Sequence, residues 1–206
     1  MRPARQHGAS ETPAGATRQA VAAPVPSMYE SVMGEAYGRL APAVQDFHRL
    51  AGRLALRGEV VVQAPAGWLA RLLAWALRAP LRASAGPIRF ALDARPALEV
   101  WTRHFPLSTM SSCLQLRGRR LVERLGAAEL VFELREREGR LEMVLQGLRF
   151  LGIPCPRWLM PEVRAVESGA GRRLHFDVGA WVPGCGQVAR YQGHLDLDSC
   201  EWERQG

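Results

Sequence analysis

No lysine and no asparagine occur anywhere in this chain, so all 27 of its basic side chains are arginine. The arginines are dispersed and interleaved with acids, as in Glu133-Leu-Arg-Glu-Arg-Glu138, which reads as codon bias rather than as a nucleic-acid footprint. A formal charge of +7 and a pI near 10.2 therefore carry no expectation of nucleic acid as a partner. The four cysteines, Cys113, Cys155, Cys185 and Cys200, form no C-x-x-C pair and have no histidine at zinc-finger spacing. That excludes a structural zinc site, and the expected state is free thiols in a reducing cytoplasm. No uncharged apolar run reaches the roughly 18 residues of a membrane-spanning helix. The first residues also lack the apolar core of a secretory signal, since Arg2 and Arg5 lead into Gly, Ser, Thr and Pro. Catalytic signatures are missing as well: there is no G-x-S-x-G elbow, phosphate loop or Ser-His-Asp order. Gly184-Cys-Gly-Gln-Val-Ala189 has dinucleotide-fingerprint spacing, yet a strand-like alternation follows where a helix is required. It reads as a hairpin turn, and no cofactor is expected.

What is present is a long run of antiparallel strands behind a short helical segment. Residues 1–27, rich in Ala, Pro, Gly, Thr and Arg, show no period and are expected to be a disordered tail, with Met28 an alternative start. Residues 28–200 read as a single domain and 201–206 as a C-terminal tail. Met28–Leu40 is expected to be helical, and Pro42 opens a second helix carrying Val44, Phe47, His48 and Leu50. Gly58–Gln63 reads as a short strand. Gly67–Ala79 is a helix apolar nearly all round, with only Arg71 and Arg78 polar. Burial is the preferred reading, because two arginines are too few for an anionic-lipid face; peripheral membrane contact is the second.

From Ile88 the pattern is strand, turn, strand, through Pro96-Ala97, Gly118 and Glu138-Gly139 to two last strands at Arg173–Val182 and Gln187–Leu197. The fold class is α+β, mainly antiparallel β. About eight strands would curl into a meander or close into a barrel, with the N-terminal helices packed on it. The apolar helix would pack on the inner face or cap the open end.

Within that pattern a few polar residues sit on apolar faces. Trp101, Arg103 and Phe105 share one side of a strand, and Glu123 interrupts the face made by Leu121 and Leu125. A charge there is costly unless paired or wet, so the position invites a functional reading. The structural alternative, a salt bridge on the solvent side of the sheet, is preferred for Arg103 and Glu123, with the register leaving their face open. Tyr191 shares parity with Leu195 and Leu197 and is expected to face inward, where its hydroxyl needs a partner. His48 reads first as a satisfied structural histidine. Trp158, set among prolines, reads first as a loop anchor and second as the wall of a ligand mouth. Trp101, Arg103, Phe105, Glu123, Tyr191, Trp158 and His48 are the ligand-binding candidates; none is assigned as catalytic, and no metal ligand is expected.

The series Trp101-Thr-Arg-His-Phe105, Leu121-Val-Glu-Arg-Leu-Gly126, Gly152-Ile-Pro-Cys-Pro-Arg-Trp-Leu-Met-Pro161, Phe176-Asp-Val178 and Tyr191-Gln-Gly193 resembles the bacterial domain of unknown function 4166 family. Members resembling this chain occur alone or joined to saccharopine-dehydrogenase-like NAD-binding modules. The resemblance implies domain boundaries from about Met28 to Leu197 and no defined chemistry. The expected function is a non-catalytic barrel-like domain that binds an apolar or amphiphilic small molecule or lipid. Two alternatives stand beside it. One is an enzyme doing acid–base chemistry on an apolar carbonyl compound, with Glu123 as base and Tyr191 as donor. The other is an interaction module for a partner oxidoreductase, which an exposed apolar patch at Trp68–Leu77 would favour.

Overall fold

A computed structural model describes residues 26–202, so most of the tail assigned to residues 1–27 and most of that assigned to 201–206 fall outside the described residues; Ser27 is ordered as the cap of the first helix. The chain begins with α1 (Met28–Met33), a 3₁₀ turn (Gly34–Arg39) and α2 (Pro42–His48), then β1 (Gly52–Gln63) and α3 (Gly67–Ala76). The strands that follow are β2 (Ser84–Arg95), β3 (Leu98–Phe105), β4 (Ser108–Arg117), β5 (Arg120–Leu125), β6 (Ala128–Arg137) and β7 (Arg140–Phe150). A two-residue β8 (Ile153–Pro154), a 3₁₀ turn (Arg157–Leu159), β9 (Glu162–Ala170), β10 (Arg173–Val182) and β11 (Gly186–Trp202) complete it.

All neighbours are antiparallel. The order β6-β5-β4-β3-β2-β1-β11-β10-β9-β7-β8, closed by pairing of β6 with β7, makes a ten-stranded barrel with β8 as a flap on the end of β7. The expectation of a curled or closed barrel holds; about eight strands was an undercount. The strand with no sequence signal was β9, whose inward residues Val163, Ala165, Glu167 and Gly169 do not form an apolar stripe. The first strand also starts at Gly52 rather than Gly58, and the helix predicted over Met28–Leu40 is α-helical only to Met33.

The alternation is clearest in β2 and β3. Ile88, Phe90, Leu92 and Ala94 point inward, and across the ladder so do Glu99, Trp101, Arg103 and Phe105. One end of the barrel is plugged. Ala41 donates its backbone N–H to Gly139 in the β6–β7 turn at 2.8 Å, and Arg172 in the β9–β10 turn holds Asp46 of α2 at 2.8 Å. This seats Phe47 edge-on against Phe90 and Trp101, filling the lower interior.

The opposite end is crossed by α3. Its start is fixed by the Ala66 N–H to Gln187 O bond at 2.8 Å, and its end by Ala127 N–H to Ala76 O at 3.1 Å. These anchors lie at the start of β11 and in the β5–β6 turn, on opposite sides of the ring, and a ten-residue helix spans about 15 Å. The helix is therefore a strut across the mouth. Only Ala70 and Ala74 are buried beneath it, while Trp68 is 73% and Trp75 67% exposed. The expectation of a buried helix is overturned. Ala70 and Ala74 form the closest contact, with Leu73 half-buried beside them, because the strut must lie close on the rim.

Gly126 makes that closeness possible. Its φ is +54°, and a Cβ there would stand 2.4 Å from the Ala76 carbonyl oxygen. Gly126→Ala is expected to lower stability by about 1–3 kcal/mol through backbone strain and the clash. It should also speed amide exchange across α3 relative to the plugged end; urea unfolding and hydrogen exchange measure the two effects.

Candidate functional site

The wall has one weak seam. β7 pairs with β6 along its length but meets β9 at only two ladder positions, Leu141 with Glu167 and Glu142 with Val166. Above them the two strands run without pairing, and the connection from Leu151 to Pro161, carrying β8, covers the gap. Behind this seam lies a cavity of about 350 Å³. Leu148, Phe150, Leu159 and Val163 line it on the seam side, and Leu73 of α3 and Leu77 just after it line it at the mouth.

Its only charged or hydroxyl-bearing lining residues are Arg103, Glu123, Glu167 and Tyr191. Arg103 is 7% exposed; its Nη1 donates to Ser112 Oγ at 3.1 Å and its Nη2 stands 3.9 Å from Glu123 Oε1. The guanidinium also lies 5.0 Å from the Trp101 ring centroid and 5.8 Å from that of Phe90, so aromatic faces contact the cation where water does not. At 3.9 Å the pair with Glu123 is loose, and neither group uses its full hydrogen-bonding capacity within it. The preferred reading of these two residues, a salt bridge on the solvent face, is corrected: both are inside the barrel.

A second polar pair lies just behind the lining. His48 Nε2 and Glu167 Oε2 are 2.6 Å apart; a carboxylate accepts, so the ring proton is on Nε2. Tyr29 stacks on the imidazole at 3.6 Å, and both Tyr29 Oη and His48 Nδ1 are buried with no hydrogen-bond partner among the described residues. His48 is thus buried and only half satisfied, and it does not itself line the cavity. Behind Trp101, the indole N–H donates to Glu99 Oε2 at 2.7 Å.

Burial pushes the Glu99 carboxyl above its ordinary range, against the nearby His48 and the Trp101 hydrogen bond, which lower it. Burial also raises the Tyr191 phenol; Arg103 pulls it down and Glu123 and Glu167 push it further up, so it remains a proton donor at neutral pH.

Of the sequence candidates, Trp101, Arg103, Glu123 and Tyr191 converge on the cavity. Phe105 is buried beside it, edge-on to Tyr191 at 5.2 Å. Trp158 is neither a loop anchor nor a wall: it is 78% exposed on the connection that covers the seam. Glu99, Ser112 and Glu167 were missed. Glu99 has the same strand parity as Trp101 and was legible from it; Glu167 had no signal because β9 had none. The decoy Gly184–Ala189 is the β10–β11 turn and the start of β11.

Residues 40–195 match the family model described as Domain of unknown function (DUF4166). The chain belongs to this family. The DUF4166 match takes in α3, the seam and every residue of the polar cluster except Tyr29. No curated protein matches the chain. A solved structure similar to it is that of Rv2717c from M. tuberculosis, at 13% identity over 76% of this chain and 98% of that one, with a TM-score of 0.39. A likeness at that level says nothing of what a DUF4166 domain binds.

Glu99 makes a pH-dependent contribution with a definite sign. The native state holds its proton more tightly than the unfolded chain, so stability falls as pH rises from its ordinary value of 4.5 through the raised native one. Glu99→Gln keeps an acceptor for the indole and removes the ionisation. The variant is expected to lose less stability than wild type between acid and neutral pH, read by urea unfolding across that range.

Proposed function

We propose that this domain is a non-catalytic carrier for an amphiphile, whose apolar body fills the cavity and whose polar group meets Arg103, Glu123 and Tyr191. The observation that carries the reading is the cavity, enclosed by apolar side chains with a few polar ones gathered in it. Its volume of about 350 Å³ falls in the range of small-molecule sites, roughly 300–1,000 Å³. Arg103 supplies fixed donors, Glu123 an acceptor and Tyr191 a donor, a set that matches a carboxylate, hydroxyl or carbonyl headgroup. The looseness of the Arg103–Glu123 contact supports this, because a headgroup oxygen between them would complete both hydrogen-bonding sets. The unpaired stretch of β7 and β9 supplies a route in that breaks no barrel ladder.

Fluorescent fatty-acid titration and native mass spectrometry of the purified protein test the proposal. Wild type is expected to take up one long-chain amphiphile per barrel. Ala165→Phe, which fills the cavity beside the seam, should weaken uptake about tenfold or more, the loss of roughly 1.4 kcal/mol of binding. Arg103→Gln with Glu123→Gln removes both charges together, avoiding an unpaired buried ion, and should blunt the preference for a charged headgroup over a neutral one. Wild type that binds no chain length overturns the reading. A carbonyl compound recovered chemically changed would make the protein an enzyme, with Glu123 and Tyr191 on one cavity as its base and donor.

A further inference from the structure

We propose that the mouth end of the barrel docks on an anionic lipid surface, and that the cavity takes its amphiphile from there. The choice of cargo rests on the carrier reading; the docking stands on a separate set of residues at the rim.

Five connections make that end: residues 64–83 between β1 and β2, 106–107, 126–127, 151–161 and 183–185. They contain no aspartate and no glutamate, but they hold Trp68, Trp75 and Trp158 with Arg71, Arg78, Arg82 and Arg157. All four arginines are exposed. Arg71 donates to the Leu81 carbonyl at 3.2 Å, and Arg78, Arg82 and Arg157 have no carboxylate partner among the described residues. Counting Arg82 and Arg157, which the fold places at the same pole as α3, removes the objection that the helix alone has too few cations for an anionic face.

Of the ten large hydrophobic side chains exposed among the described residues, eight lie in these connections, so the apolar surface is concentrated at one pole. The plugged pole is different: Asp46, Glu136, Asp196 and Asp198 there are engaged by arginines. Cations without acids, interleaved with indoles, complement a surface of uniform negative charge over an apolar interior, which is what an anionic bilayer presents. A protein interface would carry counter-charges to set register, and the five connections carry none; the nearest acids, Glu129 and Glu162, belong to the strand ends below them. No helix among the described residues is long and apolar enough to cross a membrane, so contact through this rim is peripheral. The seam between β7 and β9 opens at the same pole, and an amphiphile entering through it would leave the bilayer without passing through water.

Flotation of the full chain with phosphatidylcholine vesicles, with and without phosphatidylglycerol, tests the docking. Wild type is expected to float with the anionic vesicles, about tenfold more weakly with the neutral ones, and to be released by high salt. Trp68→Ser with Trp158→Ser, and Arg71→Gln with Arg78→Gln and Arg157→Gln, should each lose about tenfold in vesicle binding while melting as wild type does. Both rim variants should still take up the fluorescent fatty acid in solution, and the Arg103→Gln, Glu123→Gln variant should still float. These crossed readouts separate a failure of docking from a failure of the carrier reading. Wild type that ignores both vesicles, or binds both equally, overturns the proposal. So does wild type that ignores vesicles but retains a protein partner that the rim variants lose.

Discussion

A sheet of ten strands closed on itself is too wide for its own side chains to fill. Barrels of about eight strands are just filled by the residues that point inward; each added strand widens the ring faster than side chains can follow. The rest of this structure is a response to that constraint. At one pole α1, the 3₁₀ turn and α2 supply Tyr29, Phe47 and His48 to occupy the lower interior. At the other pole no such plug exists, only the strut of α3, and a cavity is left. The cavity is therefore a consequence of strand number combined with one-sided plugging.

Closure also decides where the wall can yield. The other ladders of the barrel wall have five or more pairs; β7 and β9 share two because the chain between them detours through β8 and a 3₁₀ turn. Covering an unpaired edge with a loop is a standard way of protecting it, and here the cover is apolar and solvent-facing. Leu151 begins that cover with φ at +51°, held there by its N–H to Ala127 O at 2.9 Å. A bulky residue in that backbone region is strained, and it sits at the hinge between barrel wall and flap.

The buried polar residues fit the same frame. In a filled core Arg103, Glu123, Glu99 and Glu167 would each cost several kcal/mol to desolvate. Here Arg103, Glu99 and Glu167 each have one close hydrogen-bond partner and Glu123 has the loose contact with Arg103 beside the cavity, so the cost is shared between protein contacts and space open to a ligand. The gradient is one of depth: the close pairs Glu99 with Trp101 and His48 with Glu167 reach the cavity through one member only, while both members of the looser Arg103–Glu123 pair line it. The same plan sets the outer surface, with ion-paired acids at the plugged pole and unpaired arginines among indoles at the mouth.

Alternation along the chain was enough for an antiparallel meander or barrel, the turns at Pro96, Gly118 and Gly139, and the inward direction of Tyr191; it put Trp101 and Arg103 on one side of a strand without deciding that Arg103 and Glu123 face inward. A period of two is written in every strand that buries one face. It was not enough for β9, where a glutamate and a glycine occupy inward positions and a valine, Val166, an outward one. Nor did it reveal that α3 shows its tryptophans to solvent. Apolar residues all round a helix say that some face is buried, and only the anchors at Gln187 and Ala127 decide which. Local sequence determines which side of a strand a residue takes, because the pleat does. Tertiary structure alone decided what lies opposite that side, since the pairing of β6 with β7 and of β7 with β9 sets how wide the interior is and where it opens.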